Sequence, residues 1–187
     1  IDLLKQQSKA KYSSAVSMVE TYKAGNNDAS SNYRYIDETC PIIPNPKDGI
    51  DLYIKTGNLN KLLYKPDEDF NNQVGGGLQT ILSDRMLNGV KKINSIVIEH
   101  TGDQTPVIDT KNVHYGDIIS SCGIDISGSN NHFNGLLCGN ARDDWDLGNV
   151  RLYGENNSFF DSVTSDIYGI LATNIEVGRG QKVYYKN

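Results

Sequence analysis

The most regular feature of the chain is a ten-residue alternation of apolar and polar positions that occurs twice near the C-terminal end. Residues 124–133 and 150–159 align at an offset of 26 residues with like character at eight of ten positions, and each combines a strand-like start with a glycine and an Asn-Asn pair. A weaker third copy begins 25 residues later, at Ile175. A short strand and a tight turn that recur every ~20 to 30 residues are typical of stacked solenoids.

Successive strands of such a solenoid pair in register about 4.8 Å apart, so that equivalent side chains form columns. The repeat predicts three columns, which are aromatic, amide and charged in turn. The aromatic column consists of Phe133, Phe159 and Tyr184, the amide column of Asn130 and Asn156, and the charged column of Asp125, Arg151 and Glu176. The alternative is a pair of similar strands in a β-sandwich.

The N-terminal part of the chain has different patterns. Residues 1–24 carry apolar positions at three- and four-residue steps, which predicts an amphipathic helix that packs on its own domain or oligomerises. Short β-prone pieces alternate with a Pro-rich connection in residues 33–64 and indicate a small β-domain. Residues 66–77 lack periodicity and end in three glycines, as a linker between domains does.

Apolar residues at helical spacing between positions 78 and 86 predict a short helix before the apolar strand 93–98, where it would cap the first coil. We therefore expect a mainly β protein in three parts. Residues 1–74 form an N-terminal helix and small β anchoring domain, 75–92 the glycine linker and capping helix, and 93–187 the first three to four coils of a parallel β-helix.

Composition narrows the classes of function. The net charge of −5 is spread along the chain without a basic stripe, which argues against nucleic-acid binding. No apolar window is long enough to cross a bilayer, so no membrane insertion is expected. Cys40, Cys122 and Cys138 cannot all pair with one another and lack metal-ligand spacing, so we expect no metal and no cofactor. The start at Ile1 suggests a piece of a longer protein.

The segment 140–148 is the strongest candidate for ligand contact because it holds the only tryptophan of the chain among carboxylates and an arginine. Its candidate residues are Arg142, Asp143, Asp144, Trp145 and Asp146. Aromatic faces stack on sugar rings while charged groups bind hydroxyls, so this composition suits saccharide contact. The alternatives are a solvent loop, a subunit contact, or a Ca²⁺ site made by the three aspartates.

Asp125 and Glu176 are a second candidate, as the acid pair of a glycosidase. Two strand spacings separate them by about 9.6 Å, near the upper end of the range for inverting enzymes. Arg151 between them would lower both carboxylate pKa values, whereas a general acid needs a raised pKa. The pattern therefore favours a surface ladder over catalysis. His100, His114 and His132 show no paired spacing and are expected at separate surface or turn positions.

Two motifs carry a resemblance to a known family. The Leu-Gln-Thr-Ile-Leu-Ser-Asp-Arg stretch at 78–85, with a strand and Thr-Gly-Asp at 101–103 after it, resembles the neck of bacteriophage tailspikes. In that family the neck leads into a pectin-lyase-like right-handed parallel β-helix, whose coils the Gly-x-Asn-Asn-x-Phe turns also resemble. The resemblance covers residues 75–187.

The resemblance implies a homotrimer in the virion, outside the host cell. Residues 1–74 would dock on other virion tail or collar proteins, and the β-helix would face a host surface polysaccharide. The expected function is thus the anchoring or neck part of a tailspike or tail appendage, without catalysis in this chain. The alternatives are a polysaccharide depolymerase, either hydrolase or lyase, and a secreted bacterial β-helix adhesin.

Overall fold

The protein is mainly β where its structure is described. A computed structural model describes residues 6, 10, 33–35, 58–64, 81–84, 87, 89–98, 105–121, 123–141, 148–163 and 167–184. The strands are β1 Tyr33–Tyr35, β2 Asn58–Tyr64, β3 Ile81–Ser83, β4 Lys92–Ile98, β5 Val107–Asp109, β6 His114–Ser120, β7 Ile124–Ile126, β8 His132–Phe133, β9 Leu136–Cys138, β10 Asn149–Leu152, β11 Ser158–Phe159, β12 Gly169–Leu171, β13 Asn174–Val177 and β14 Lys182–Val183.

Almost no helix occurs in these ranges. Gln6 and Ala10 have helical backbone and are exposed. The remainder of the helix predicted for residues 1–24 lies outside the described residues and stays a prediction.

The strands form two sheets. The first sheet has nine strands in the order β1-β2-β4-β6-β8-β11-β14, with β9 paired to both β6 and β12. The second has five strands in the order β13-β10-β7-β5-β3. β1 and β2 are antiparallel, whereas the other described pairs are parallel. Parallel neighbours require long crossover connections, and the chain makes them by alternating between the sheets.

The register reproduces the 26-residue offset of the sequence repeat. Val150 pairs with Ile124 in the second sheet, and Phe159 pairs with Phe133 in the first. The third copy is also in register, since Ile175 pairs with Val150. Ile124 of β7, Phe133 of β8 and Val150 of β10 are fully buried, whereas Ile175 of β13 is 49% exposed.

The aromatic column differs from the predicted one at both ends. The Phe133 ring stacks on Phe159, with centroids 4.9 Å apart, and Tyr115 stacks on the other face of Phe133 at 4.8 Å. Val183 pairs with Phe159 in the position that the sequence assigned to Tyr184, which is 49% exposed. The connection before β14 is one residue shorter than its counterpart before β11. A slip of one residue turns a strand side chain to the opposite face.

The amide column lies at a turn with left-handed backbone. The side-chain amide of Asn156 donates to Asn130 Oδ1 at 2.7 Å, and the two residues have φ of 58° and 55°. Asn112 and Gly180 also have positive φ, at 58° and 85°. Asparagine and glycine are the residues that adopt this conformation at low cost, which explains why the turn keeps them.

The helix predicted over positions 78–86 is wrong for residues 81–83, which form β3. Leu82 is paired with Ile108, and both side chains are fully buried. Periodicity alone does not separate a short buried strand from a helix, and here the parallel neighbour β5 supplies the hydrogen bonds. A single turn follows, in which Leu87 N donates to Ser83 O at 3.0 Å.

The parallel stack also begins earlier than the sequence indicated. β2, which we assigned to the N-terminal domain, is parallel to β4 from Asn58 opposite Lys92 to Tyr64 opposite Ile98. Residues 58–64 therefore share a sheet with the strands that follow position 92. The division into 1–74, 75–92 and 93–187 otherwise stays a prediction.

Candidate functional site

A charged patch lies on the outer face of the second sheet. Asp125 of β7, Arg151 of β10 and Glu176 of β13 occupy the centres of adjacent strands and are in register. Arg151 Nη1 is 3.6 Å from Asp125 Oδ2, and Arg151 Nε is 3.4 Å from Glu176 Oε2. The guanidinium thus bridges two carboxylates, which is the ladder that the sequence favoured over an acid pair.

Tyr153 completes the patch and was missed by the sequence reasoning. Its O–H donates to Glu176 Oε2 at 2.9 Å, and its ring is 44% exposed. The hydrogen bond to Glu176 raises the pKa of the Tyr153 hydroxyl. The alternation of faces was the available signal, because a residue two places after outward-pointing Arg151 faces the same way. An exposed aromatic ring beside carboxylates and a guanidinium is suited to saccharide contact.

The pKa of Asp125 is shifted in the direction opposite to the one expected from its contact with Arg151. Burial raises the pKa of the Asp125 carboxyl, and the adjacent Arg151 offsets this only in part. One carboxylate oxygen, Oδ1, is buried without a hydrogen-bond partner among the described residues. Desolvation disfavours the charged form of a carboxyl, and here it outweighs the attraction to the guanidinium. The expected lowering of the Asp125 pKa is therefore wrong.

The raised pKa makes a prediction for stability. The folded protein takes up a proton on Asp125 at a higher pH than the unfolded chain, so stability falls as pH rises through the folded-state pKa. Asp125→Asn removes this dependence. We expect its unfolding free energy to match that of the wild type at about pH 3 and to exceed it by less than about 1 kcal/mol at about pH 7, since solvent screens the site. Urea unfolding across this pH range measures it.

Glu176→Gln is the matched control, because it removes the same charge from the other side of Arg151 at an exposed position. It should lack the gain at neutral pH. A loss of stability in Asp125→Asn that grows with pH would show that the Arg151 contact outweighs burial.

A second cluster lies on the first sheet. His114 pairs with His132, and their rings stack at 4.5 Å between centroids and 4° between planes. His132 Nδ1 is 2.9 Å from Asp161 Oδ2. Burial, followed by the neighbouring His132, lowers the pKa of His114, while Asp161 acts in the opposite direction.

The histidine stack corrects the prediction that these residues lie near separate partners. This stack was not visible in the sequence because β6 and β8 are related by an offset of 18 residues, as the Val113 to Asn131 hydrogen bond also shows. The visible repeat has an offset of 26 residues.

Other candidates are placed only in part. Arg142, Asp143, Asp144, Trp145 and Asp146 lie outside the described residues, as do His100, Cys40 and Cys122. Cys138 is buried, and its thiol is 3.8 Å from Asn140 Oδ1. No group of three or more histidine, cysteine or acidic side chains in the described ranges is arranged to hold a metal ion.

No helix in the described part of the chain is long and apolar enough to span a membrane.

The likeness to tailspikes rests on the two sequence motifs. Comparison of the chain with protein-family models, with curated proteins and with solved structures finds no match.

Proposed function

We propose that the two sheets are faces of a right-handed parallel β-helix and that the chain is a structural part of a phage tailspike or tail appendage. The observation that carries the proposal is the register, in which side chains 26 residues apart lie over each other on both sheets. In-register parallel strands joined by alternation between two sheets are what a solenoid requires. The placement in a tailspike rests on the resemblance of the Gly-x-Asn-Asn-x-Phe turns, since residues 81–83 of the neck-like motif form β3 within the parallel stack.

Within this proposal the charged patch contacts the host surface polysaccharide. Tyr153 offers an exposed ring, and Asp125, Arg151 and Glu176 offer hydrogen-bonding groups fixed by their neighbours. Such pre-ordered groups lower the entropic cost of binding. Residues 1–74 would attach the chain to tail or collar proteins of the virion.

The last described strands offer an exposed apolar surface for the proposed homotrimer. Ile175 and Val177 of β13 are 49% and 52% exposed, whereas their partners Val150 and Leu152 are fully buried. Tyr184 adds a third apolar side chain that is about half exposed. Exposed apolar groups at strand edges mark sites of association. We therefore place a subunit contact at β13 and β14.

The oligomer is tested by light scattering on the purified chain. We expect a mass of about three times the 20.7 kDa of one chain. Ile175→Asp with Val177→Asp should reduce the mass to that of one chain, because charges are costly in an apolar interface. Asn174→Asp, at an exposed position of the same strand, is the control and should stay trimeric. A wild-type mass of one chain would contradict the trimer.

Binding is tested with surface polysaccharides purified from candidate bacterial hosts. We expect one of them to bind, and Tyr153→Ala to weaken its binding by about tenfold, since ring stacking accounts for roughly 1 kcal/mol or more. Asp109→Ala, at an exposed position of β5 in the same sheet, is the control and should bind as the wild type does. A chain that binds none of the polysaccharides, or binds equally after Tyr153→Ala, would contradict the role of the patch.

A depolymerase is the second candidate, and the raised pKa of Asp125 favours it. If the polysaccharide is shortened during incubation, Asp125→Asn should abolish the cutting while leaving binding intact. A polysaccharide of unchanged length after long incubation with the trimer supports the structural role.

A further inference from the structure

An outward-facing column of basic groups crosses the first sheet, on strands other than those of the charged patch. In register, Lys92 of β4 pairs with His114 of β6, His114 with His132 of β8, His132 with Ser158 of β11, and Ser158 with Lys182 of β14. Lys92, His114 and Lys182 are exposed and His132 is partly so. We call these four residues the basic column.

The basic column has an acidic neighbour at its histidines. Asp161, in the turn after β11, contacts His132 Nδ1 at 2.9 Å. Lys92 and Asp161 are also the charged groups that act on His114, together with His132 itself. When both histidines are protonated, the column carries four positive charges. This local excess is notable in a chain whose net charge is −5.

We propose that the basic column binds a linear acidic polysaccharide that runs across the strands. Strands in a sheet are about 4.8 Å apart, which is close to the length of one sugar ring in an extended polymer. Carboxylates along such a polymer would meet cations on β4, β6, β8 and β14, with the buried Ser158 of β11 between the last two. The inference deepens the proposed function, on which it rests, by naming the chemical class of the polysaccharide and a second contact surface.

The geometry favours a sugar polymer over a nucleic acid. Single-stranded nucleic acids bind through aromatic faces on which bases stack. The imidazole rings of His114 and His132 lie 4.5 Å apart and nearly parallel, so each covers a face of the other. A protonated imidazole donates hydrogen bonds to anions, as the contact of His132 Nδ1 with the Asp161 carboxylate at 2.9 Å illustrates.

Binding of a carboxylate at the basic column should be accompanied by proton uptake. The pKa of His114 is lowered by burial and by its cationic neighbours, so the ring is largely neutral at neutral pH. A bound carboxylate favours the charged imidazolium, and binding is therefore linked to protonation. Affinity should rise as pH falls, until the carboxylates of the polymer, or Asp161, become protonated.

The test uses the full chain with polygalacturonate as the acidic probe and dextran as the neutral one. We expect polygalacturonate to bind about tenfold more tightly at about pH 5.5 than at about pH 7.5, and dextran not to bind. The double variant His114→Gln with His132→Gln should lose this pH dependence. Lys92→Gln with Lys182→Gln should weaken binding at both pH values and reduce its dependence on salt.

Lys111→Gln, at an exposed cationic residue outside both the basic column and the charged patch, is the matched control and should leave polygalacturonate binding unchanged. Equal binding of dextran, no binding of polygalacturonate, a flat pH profile of the wild type, or an unchanged profile in the histidine variant would each overturn the inference. Binding of a neutral host polysaccharide that depends on Tyr153 alone would also overturn this inference. That result would leave the proposed function in place.

Discussion

Gly154→Ala is expected to lower the free energy of unfolding by about 3 kcal/mol, from the sum of a steric clash and backbone strain. Gly154 has a φ of 92°, and a Cβ there would overlap the carbonyl oxygen of Gly128 and lie 2.6 Å from that of Ser127. Both obstacles are backbone atoms of the preceding repeat, which cannot move without breaking strand pairing. The glycine therefore marks a close approach of successive turns.

Two other glycines separate the clash from the strain. Gly180 has a φ of 85° but no atom within 4 Å of its would-be Cβ, so Gly180→Ala should cost only about 1 kcal/mol of strain. Gly128 lies outside the left-handed region, yet its Cβ would be 2.6 Å from Thr110 N and would overlap Thr110 O. Gly128→Ala should thus cost about 2 kcal/mol from the clash alone.

Urea unfolding of the three alanine variants measures these values through their midpoints. The expected order of loss is Gly154, then Gly128, then Gly180. If Gly180→Ala were as destabilising as Gly154→Ala, close contact between the turns would not be what fixes glycine at position 154.

The parts of this fold that the sequence predicts are those where backbone geometry dictates residue type. The turns at 128–131 and 154–157 need glycine and left-handed asparagine, so they repeat visibly, and the register of Phe133 with Phe159 follows from them. The outward alternation at Arg151 likewise predicts its contacts with Asp125 and Glu176. These are local requirements, and a single sequence displays them.

The features of the fold that the sequence did not predict depend on the lengths of the connections between strands. Tyr115 and His114 join their columns through an 18-residue offset, which leaves no matching ten-residue pattern. Tyr184 was misplaced by a connection shorter by one residue, and β3 is too short for its apolar spacing to exclude a helix. The raised pKa of Asp125 follows from burial, which only the assembled sheet determines.

Asn131→Leu is expected to lower the free energy of unfolding by about 3 kcal/mol or more, because it leaves buried polar groups without hydrogen-bond partners. Asn131 is fully buried, and its Oδ1 accepts from Val113 N at 3.1 Å and Thr110 Oγ1 at 3.2 Å. Its Nδ2 donates to Thr110 O at 2.8 Å. Leucine has similar volume but serves none of these partners, so each loses a bond inside the core.

The neighbouring Asn130 supplies the control for Asn131→Leu. Asn130 is exposed with a φ of 55°, and its side chain contacts Asn156 at 2.7 Å. Asn130→Gly keeps the left-handed backbone accessible and should cost less than about 1 kcal/mol. Asn131→Asp keeps the acceptor but not the donor, so it should also have a lower free energy of unfolding than the wild type. Equal unfolding midpoints for Asn131→Leu and Asn130→Gly would mean that the buried amide is dispensable and that apolar columns alone hold the repeats in register.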